Sequence, residues 1–101
     1  MTVSIKDNPE LNRFEATVSD TIAGFAEYQL AKGLVVFTHA EVDHAYEGKG
    51  IGSALARFAL DDVRDRNLKV SPICPFIASW IDRHPEYADL VDGPRSSTVT
   101  E

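Results

Sequence analysis

Three glycines within five residues form the part of the chain best suited to binding chemistry. Residues 48–52 read Gly-Lys-Gly-Ile-Gly and stand directly before a run with helical periodicity. Glycine lets a ligand come close to the main chain, and the first amides of a helix have no acceptor within the helix. The helix dipole adds partial positive charge at the same place. The segment is therefore predicted as an anion site suited to phosphate, and a glycine turn that merely caps the helix is the alternative.

Two titratable side chains precede this segment on a predicted strand. His39 and Glu41 are two residues apart, so they share one face of the strand, and the alternation predicts that Val35 and Phe37 share it too. Glu41 could accept a proton from an ammonium, directly or through water, and His39 could relay it. We therefore predict an acid–base role for the pair. The alternative is that the two only hydrogen-bond each other at the solvated edge of the sheet.

The elements that must position these groups follow from hydrophobic periodicity. Residues 3–42 form four strand-like runs separated by turn residues, a pattern typical of an antiparallel meander. The runs are predicted over residues 3–6, 13–18, 21–30 and 34–42, with turns at residues 7–10, 19–20 and 31–33. From Ile51 onward the apolar residues recur with the period of a helix. A fifth strand is predicted over residues 69–74, interrupted by Pro72, and Pro75 opens a second helix. The apolar stripe predicted for the first helix consists of Ile51, Ala54, Leu55, Phe58 and Ala59, with Val63 on its shoulder and the buried part ending near Asp62.

These elements predict a layered α+β fold. A strand, a crossover helix and a further strand normally form a parallel pair, whereas the first four strands should be antiparallel. We therefore expect a mixed, mostly antiparallel sheet of about five strands with two main helices. Residues 1–92 are predicted to form a single domain, and the small, polar residues 93–101 a flexible C-terminal tail.

Composition limits the class of protein. A chain of 101 residues with 44% apolar residues fits one domain with a modest core that needs no metal or disulfide. The net charge of −6, with ten basic residues dispersed among sixteen acidic ones, argues against nucleic acid and mildly favours cationic ligands such as amines. A single cysteine, no apolar leader and no membrane-spanning apolar stretch predict a cytoplasmic protein. No metal site is expected.

The glycine segment and its flanks resemble a known family. Residues 34–42 followed by residues 47–55 resemble the acetyl-CoA motif of the GNAT acetyltransferases, whose loop typically reads Gln/Arg-x-x-Gly-x-Gly/Ala. Gly50 and Gly52 match this pattern, whereas Glu47 stands where Gln or Arg is usual. A short, single-domain GNAT-like subfamily is similar to this chain in three further segments, residues 37–42, 73–76 and 84–87.

The resemblance implies a minimal GNAT fold that uses acetyl-CoA as co-substrate and moves an acetyl group to an amine, a small molecule or a peptide. Only residues 8–12 are available where larger GNAT enzymes insert helices, so the acceptor side should be open and shallow. We expect a monomer or weak homodimer without nucleic-acid or membrane partners. The alternative is a CoA-binding or interaction module with little or no transferase activity. The cofactor-binding residues implied are Val42, Glu47, Gly48, Lys49, Gly50, Ile51, Gly52 and Ser53.

Cys74 is the third candidate catalytic residue, beside Glu41 and His39. The resemblance places it near the thioester sulfur, where it could protonate the departing thiolate or accept the acetyl group itself before transfer. Either role needs a partly exposed thiol, whereas a free cysteine that only packs is the alternative. Tyr87 is a second candidate acid, because many GNAT enzymes use a tyrosine after the fifth strand. Packing against the sheet is the alternative for Tyr87.

Overall fold

Five strands form one sheet, in the order in which they occur along the chain. The computed structural model describes residues 2–92, so the tail predicted over residues 93–101 lies outside the described part. The first four strands pair antiparallel, and the fifth runs parallel to the fourth. The predicted α+β fold with two main helices is therefore confirmed. The elements are β1 (Ser4–Asn8), β2 (Arg13–Val18), β3 (Thr21–Ala31), β4 (Leu34–Val42), α1 (Ile51–Asp65), β5 (Lys69–Pro72) and α2 (Pro75–Arg83), with 3-10 turns at His44–Tyr46 and Pro85–Leu90.

Residues in the left-handed conformation reverse the chain between the antiparallel strands. Ser19 and Asp20 have φ angles of 50° and 67°, which is typical of the two-residue hairpin turn predicted there. Gly33, at φ 69°, turns the chain from β3 into β4 without the strain that a side chain would cause. β1 continues to Asn8, which pairs with Arg13, so the first turn starts later than predicted.

A bulge in β4 interrupts the alternation of its side chains. Tyr28 pairs with Phe37, but the neighbouring Glu27 pairs with His39, so Thr38 is an extra residue with no partner across the ladder. One extra residue moves every later side chain of the strand to the opposite face.

The bulge corrects the predicted placement of His39 and Glu41. The two do share a face, but it is the face opposite to Val35 and Phe37, which are buried under the helices. Ala40 takes the inward position and packs partly buried against the core. Strict alternation could not reveal this change, because the extra residue is set by how β4 pairs with β3.

β4 loses one of its two neighbours halfway along its length. The parallel pairing with β5 ends at Phe37 and Pro72, and the Cys74 amide then donates to the Phe37 carbonyl oxygen at 2.8 Å. Pro72 has no amide to donate, and the chain enters α2 at Pro75. β5 thus ends before the predicted Cys74, and residues 39–42 of β4 remain paired with β3 alone.

The apolar stripe of α1 is rotated relative to the prediction. Phe58 is 40% exposed, and burial continues past Asp62 to Val63. The cause is a second layer of contacts, because α2 and the turn Pro85–Leu90 cover one flank of α1 in addition to the sheet. The buried residues of this helix are Ile51, Leu55, Ala56, Ala59, Leu60 and Val63.

Candidate functional site

The glycine segment folds as a loop that leads from β4 into α1. Asp43 starts the intervening 3-10 turn, and its Oδ1 accepts a hydrogen bond from the Ala45 amide at 2.9 Å. Gly48 and Gly50 have φ angles of 78° and 80°, which glycine adopts without strain. A Cβ atom at either position would meet nothing within 4 Å, so both glycines border open space.

Six consecutive amides are available at the start of α1. The first intrahelical bond of α1 runs from the Ala54 amide to the Gly50 carbonyl at 3.0 Å, and Gly50 caps the helix without a side-chain bond. Within residues 2–92, the amides of residues 48–53 donate to no other residue. Such amides carry the partial positive charge of the helix N-terminus. The geometry therefore suits a phosphate, as the glycine spacing predicted.

A cleft of about 430 Å³ opens in front of these amides. The loop forms one wall and a face of α2 forms the other. Glu47 also lines the cleft, with its Oε1 3.5 Å from Nδ1 of His44, and Lys49 is exposed on the loop. The carboxylate of Glu47 would repel a phosphate unless a cation offsets it. The residues of α2 and its C-terminal cap that line the cleft are Phe76, Trp80, Arg83 and His84.

Two basic residues of this wall were not among the site residues predicted from the sequence. Arg83 is the last residue of α2 and His84 its C-terminal cap, and both line the cleft. The one available signal was spacing, because Arg83 follows Phe76 by about two helical turns. Nothing in the sequence shows that this face of α2 meets the glycine loop.

Helix α2 is held against the loop by two close contacts. A Cβ on Gly52 would lie 3.0 Å from Cζ of Phe76, so the missing side chain makes room for the ring. Trp80 donates from Nε1 to the Ser53 hydroxyl at 2.9 Å, and its ring stacks on His84 with centroids 3.7 Å apart. The Ser53 hydroxyl therefore accepts a hydrogen bond from α2, and it can still donate its own hydrogen to a ligand, as can the Ser53 amide.

An apolar slot of about 110 Å³ adjoins the cleft. Three residues, Val42, Gly52 and Phe76, line both cavities, so the slot and the cleft share a wall. The slot lies between α1, α2 and the part of β4 that has lost β5 as its neighbour. Its other apolar lining residues are Ala26, Ala40, Leu55 and Ile77.

Among residues 2–92, two amides of β4 beside the slot have no acceptor. The Asp43 amide donates to the Ala23 carbonyl at 2.7 Å, and the pairing of residues 24–27 with 39–42 is regular. Amides along an antiparallel strand alternate in direction, so those of Ala40 and Val42 point away from β3. They face the side on which β5 has ended.

His39 and Glu41 form a hydrogen-bonded pair on the outer face of the sheet. Nε2 of His39 lies 2.7 Å from Oε2 of Glu41, and the side chains are 51% and 61% exposed. Glu41 lines the slot and also a second cavity of about 110 Å³ that Phe25 and Asp43 border. Glu41 therefore borders a cavity on each side of β4.

Two other predicted residues lie away from these cavities. Cys74 is 3% exposed and lines neither slot nor cleft, so the partial exposure expected for a chemical role is absent here. The Tyr87 hydroxyl donates to Asp61 at 2.7 Å and accepts from Arg57 at 3.2 Å. Burial, followed by the bond to Asp61, raises the pKa of Tyr87. Tyr87 therefore anchors the last 3-10 turn to α1.

Two kinds of feature are absent from residues 2–92. No group of three or more His, Cys, Asp or Glu side chains in this part of the chain is arranged to hold a metal ion. Neither described helix is long and apolar enough to cross a membrane.

Comparisons of sequence identify relatives of most of this region. A family model of the GCN5-related N-acetyl-transferases matches residues 13–90. The chain is also similar to Protein NATD1 of Gallus gallus and of Homo sapiens, with 38% identity over 56 residues in each case. These matches cover 55% of this chain and 51% and 50% of those proteins. The chain thus spans about half the length of the curated relatives it matches.

Comparisons of structure find the same fold in solved proteins. The NMR structure of a GCN5-like protein from Staphylococcus aureus gives a TM-score of 0.72 at 20% identity, over 97% of this chain and 96% of that one. The ribosomal-protein-S18-alanine N-acetyltransferase of Escherichia coli gives 0.57 at 24% identity, over 59% of this chain and 39% of that one. At such identities the likeness shows a common fold.

Proposed function

The chain belongs to the GCN5-related N-acetyltransferase family, and on that basis we propose that it is an acetyl-CoA-dependent N-acetyltransferase that moves an acetyl group to an amine. One observation carries the proposal: the loop whose amides at residues 48–53 have no acceptor within residues 2–92 lines a cleft that shares a wall with an apolar slot. A polar cradle beside an apolar channel matches the chemistry of CoA, which joins a pyrophosphate to a thiol through a long pantetheine arm.

The proposed positions along the site follow from polarity. The amides of residues 48–53 would bind the pyrophosphate, because they supply aligned donors and the positive end of a helix dipole. The slot would hold the thioester end, since its lining is almost wholly apolar. The edge of β4 at Ala40 and Val42 would hydrogen-bond the extended arm between them. Lys49 would reach a phosphate from the rim of the loop.

The proposed chemistry centres on Glu41. The carboxylate of Glu41 would take the proton from the attacking amine. His39 would orient this carboxylate through their hydrogen bond and relay the proton to solvent. The amide of Val42 would donate to the thioester oxygen, where negative charge develops during attack. When the carbon–sulfur bond breaks, the electron pair leaves with the sulfur, which then takes up a proton from solvent. The Glu41 carboxylate, the His39 ring and the Val42 amide all belong to the segment of β4 that has lost β5 as its neighbour.

Direct transfer is the proposed route, and transfer through Cys74 is its variant. The burial of the thiol favours direct transfer, because an acetyl-cysteine would need the sulfur to reach the thioester carbon. Cys74→Ala separates the routes when intact mass is measured after incubation with acetyl-CoA without acceptor. An added acetyl group on the wild type that is missing from Cys74→Ala would establish the covalent route. If the wild type gains no acetyl group and Cys74→Ala turns over at the wild-type rate, direct transfer is the route that remains.

The acceptor is proposed to be cationic. The carboxylates of Glu41 and Asp43 border the second cavity, and the chain as a whole carries a net charge of −6. A protonated amine would be attracted there before it loses its proton. The proposed setting is the cytoplasm, in keeping with the single free cysteine.

The test uses purified chain with CoA, acetyl-CoA and a panel of amines, polyamines and peptides. A ligand that binds only the folded state raises the melting temperature, so we expect millimolar CoA to stabilise the protein. We also expect free thiol to be released above the no-amine background with at least one acceptor. Stabilisation by CoA without turnover of any amine would instead support a CoA-binding module. An unchanged melting temperature would remove the CoA site altogether.

A further inference from the structure

Helix α2 presents three side chains to the cleft in a line that begins at the slot. Phe76, Trp80 and Arg83 are spaced four and three residues apart, so they lie on one face of the helix. Phe76 borders the slot, Trp80 bonds the Ser53 hydroxyl, and Arg83 comes last. At 1.5 Å per residue, Arg83 is about 10 Å beyond Phe76 along the helix axis.

CoA carries its chemical groups in a matching order. The thioester is at one end, the pyrophosphate is in the middle and the ribose 3′-phosphate is at the nucleotide end. The amides of residues 48–53 already supply donors for the pyrophosphate, and Arg83 supplies a separate charge about one helical turn past the contact of Trp80 with Ser53. We propose that Arg83 binds the ribose 3′-phosphate and so selects CoA over 3′-dephospho-CoA. The inference rests on the proposed function.

The chemistry of the side chain suits this role. Arg83 is exposed, and its Nη1 donates to the hydroxyl of Ser79 at 2.7 Å. That hydroxyl is neutral, so it orients the guanidinium without offsetting its charge. Arginine presents further donors in a rigid fork that matches phosphate oxygens. His84 lines the cleft beside it and adds an imidazole ring to this end.

A purely structural role for Arg83 makes a different prediction. A basic residue in the last turn of a helix stabilises the helix dipole, and this contribution exists without any ligand. Loss of that role would lower the melting temperature of the free protein. It would leave the ratio of affinities for CoA and 3′-dephospho-CoA unchanged.

The experiment measures calorimetric affinities for CoA and 3′-dephospho-CoA with the full chain. We expect the wild type to bind CoA about tenfold more tightly or better, the size expected for one charge-assisted pair. Arg83→Gln should bring the ratio of the two affinities close to one, by weakening CoA and leaving 3′-dephospho-CoA unchanged. Lys32→Gln, at an exposed position in the β3–β4 turn, makes the same change in charge and should keep the wild-type ratio.

Each other result overturns the inference. Equal weakening of both ligands in Arg83→Gln would place the guanidinium at the pyrophosphate. If Arg83→Gln keeps the wild-type ratio of the two affinities but has a lower melting temperature, Arg83 only stabilises the end of the helix. If the ratio falls as far in Lys32→Gln as in Arg83→Gln, the overall charge of the chain is responsible for the preference for CoA. If the wild type binds both ligands equally, the inference alone fails, whereas binding of neither removes the proposed function as well.

Discussion

Strand β4 has two halves that differ in their neighbours. Residues 34–37 pair with β3 on one side and β5 on the other, and Val35 and Phe37 are buried. Residues 39–42 pair with β3 only, and cavities border them on both faces. The halves are separated by the bulge at Thr38 and by the end of β5 at Pro72.

The difference shows how one strand can serve both core and site. The first half has a neighbouring strand on each side and buries Val35 and Phe37, so its side chains contribute to stability. The second half keeps the amides of Ala40 and Val42 free and turns His39 and Glu41 outward. Changes in the first half should therefore act on unfolding, and changes in the second half on turnover.

The largest expected effect is in the first half. Phe37 is 0% exposed and contacts the rings of Phe14 and Tyr28. Phe37→Ala should lower the free energy of unfolding by about 3–5 kcal/mol, because it deletes a buried ring and leaves a cavity. Urea unfolding measures this, with the neighbouring exposed Thr38→Ala as the control at below about 0.5 kcal/mol. Similar losses in the two variants would erase the contrast.

Substitutions in the second half of β4 should change the transfer rate rather than the stability. Glu41→Gln keeps the shape of the side chain but removes the base, so the transfer rate should fall about 100-fold. Stability and CoA affinity should hardly change, because the side chain is 61% exposed. Steady-state kinetics at saturating acetyl-CoA tests this, with Glu10→Gln in the β1–β2 turn as a matched control. Wild-type turnover in Glu41→Gln would leave the pair as a surface hydrogen bond.

Tyr28 pairs with Phe37, the last residue of the first half of β4, and its hydroxyl should make the stability of the fold depend on pH. Burial, together with the hydrogen bond to Asp7, raises the pKa of Tyr28 to about 12. The folded state therefore favours the neutral phenol, and the stability it contributes is complete below about pH 10. Stability should fall by about 2 kcal/mol as pH rises from 10 to 12, since the unfolded chain ionises first. Denaturant melts of Tyr28→Phe should show a shallower alkaline decline, and parallel curves would contradict the assignment.

The smallest expected effect lies where the second half meets the helices. Gly52→Val would push Cβ to 3.0 Å from the Phe76 ring and 3.5 Å from Cγ2 of Val42. The free protein should lose about 1–2 kcal/mol, at the low end for overpacking because the ring is 37% exposed and can shift. The loss should shrink in a Phe76→Ala background. An intact melt with lost CoA affinity would instead assign Gly52 to the phosphate site alone.

The elements that local sequence controls were predictable. The bounds of β4 and the start of α1 match because alternation, turn residues and helical periodicity are properties of neighbouring residues. The loop over residues 48–53 was predicted from glycine spacing for the same reason, and Gly48 and Gly50 do adopt positive φ.

Three features were decided by contacts between distant segments. The bulge at Thr38 follows from the register of β4 on β3, which turned Glu41 to the outer face. Arg83 reaches the cleft because α2 packs along the glycine loop. The thiol of Cys74 is covered because the chain bends from β5 into α2 over the core.

The sequence by itself thus determined the strands, the helices, the glycine loop and the family resemblance, all of which depend on residue type and spacing over a few positions. Only the tertiary structure decided which face each site residue occupies and what lies opposite it. The physical reason is that facing and burial depend on strand register and helix packing. Those are set by the summed contacts of residues far apart in the chain, which no local pattern contains.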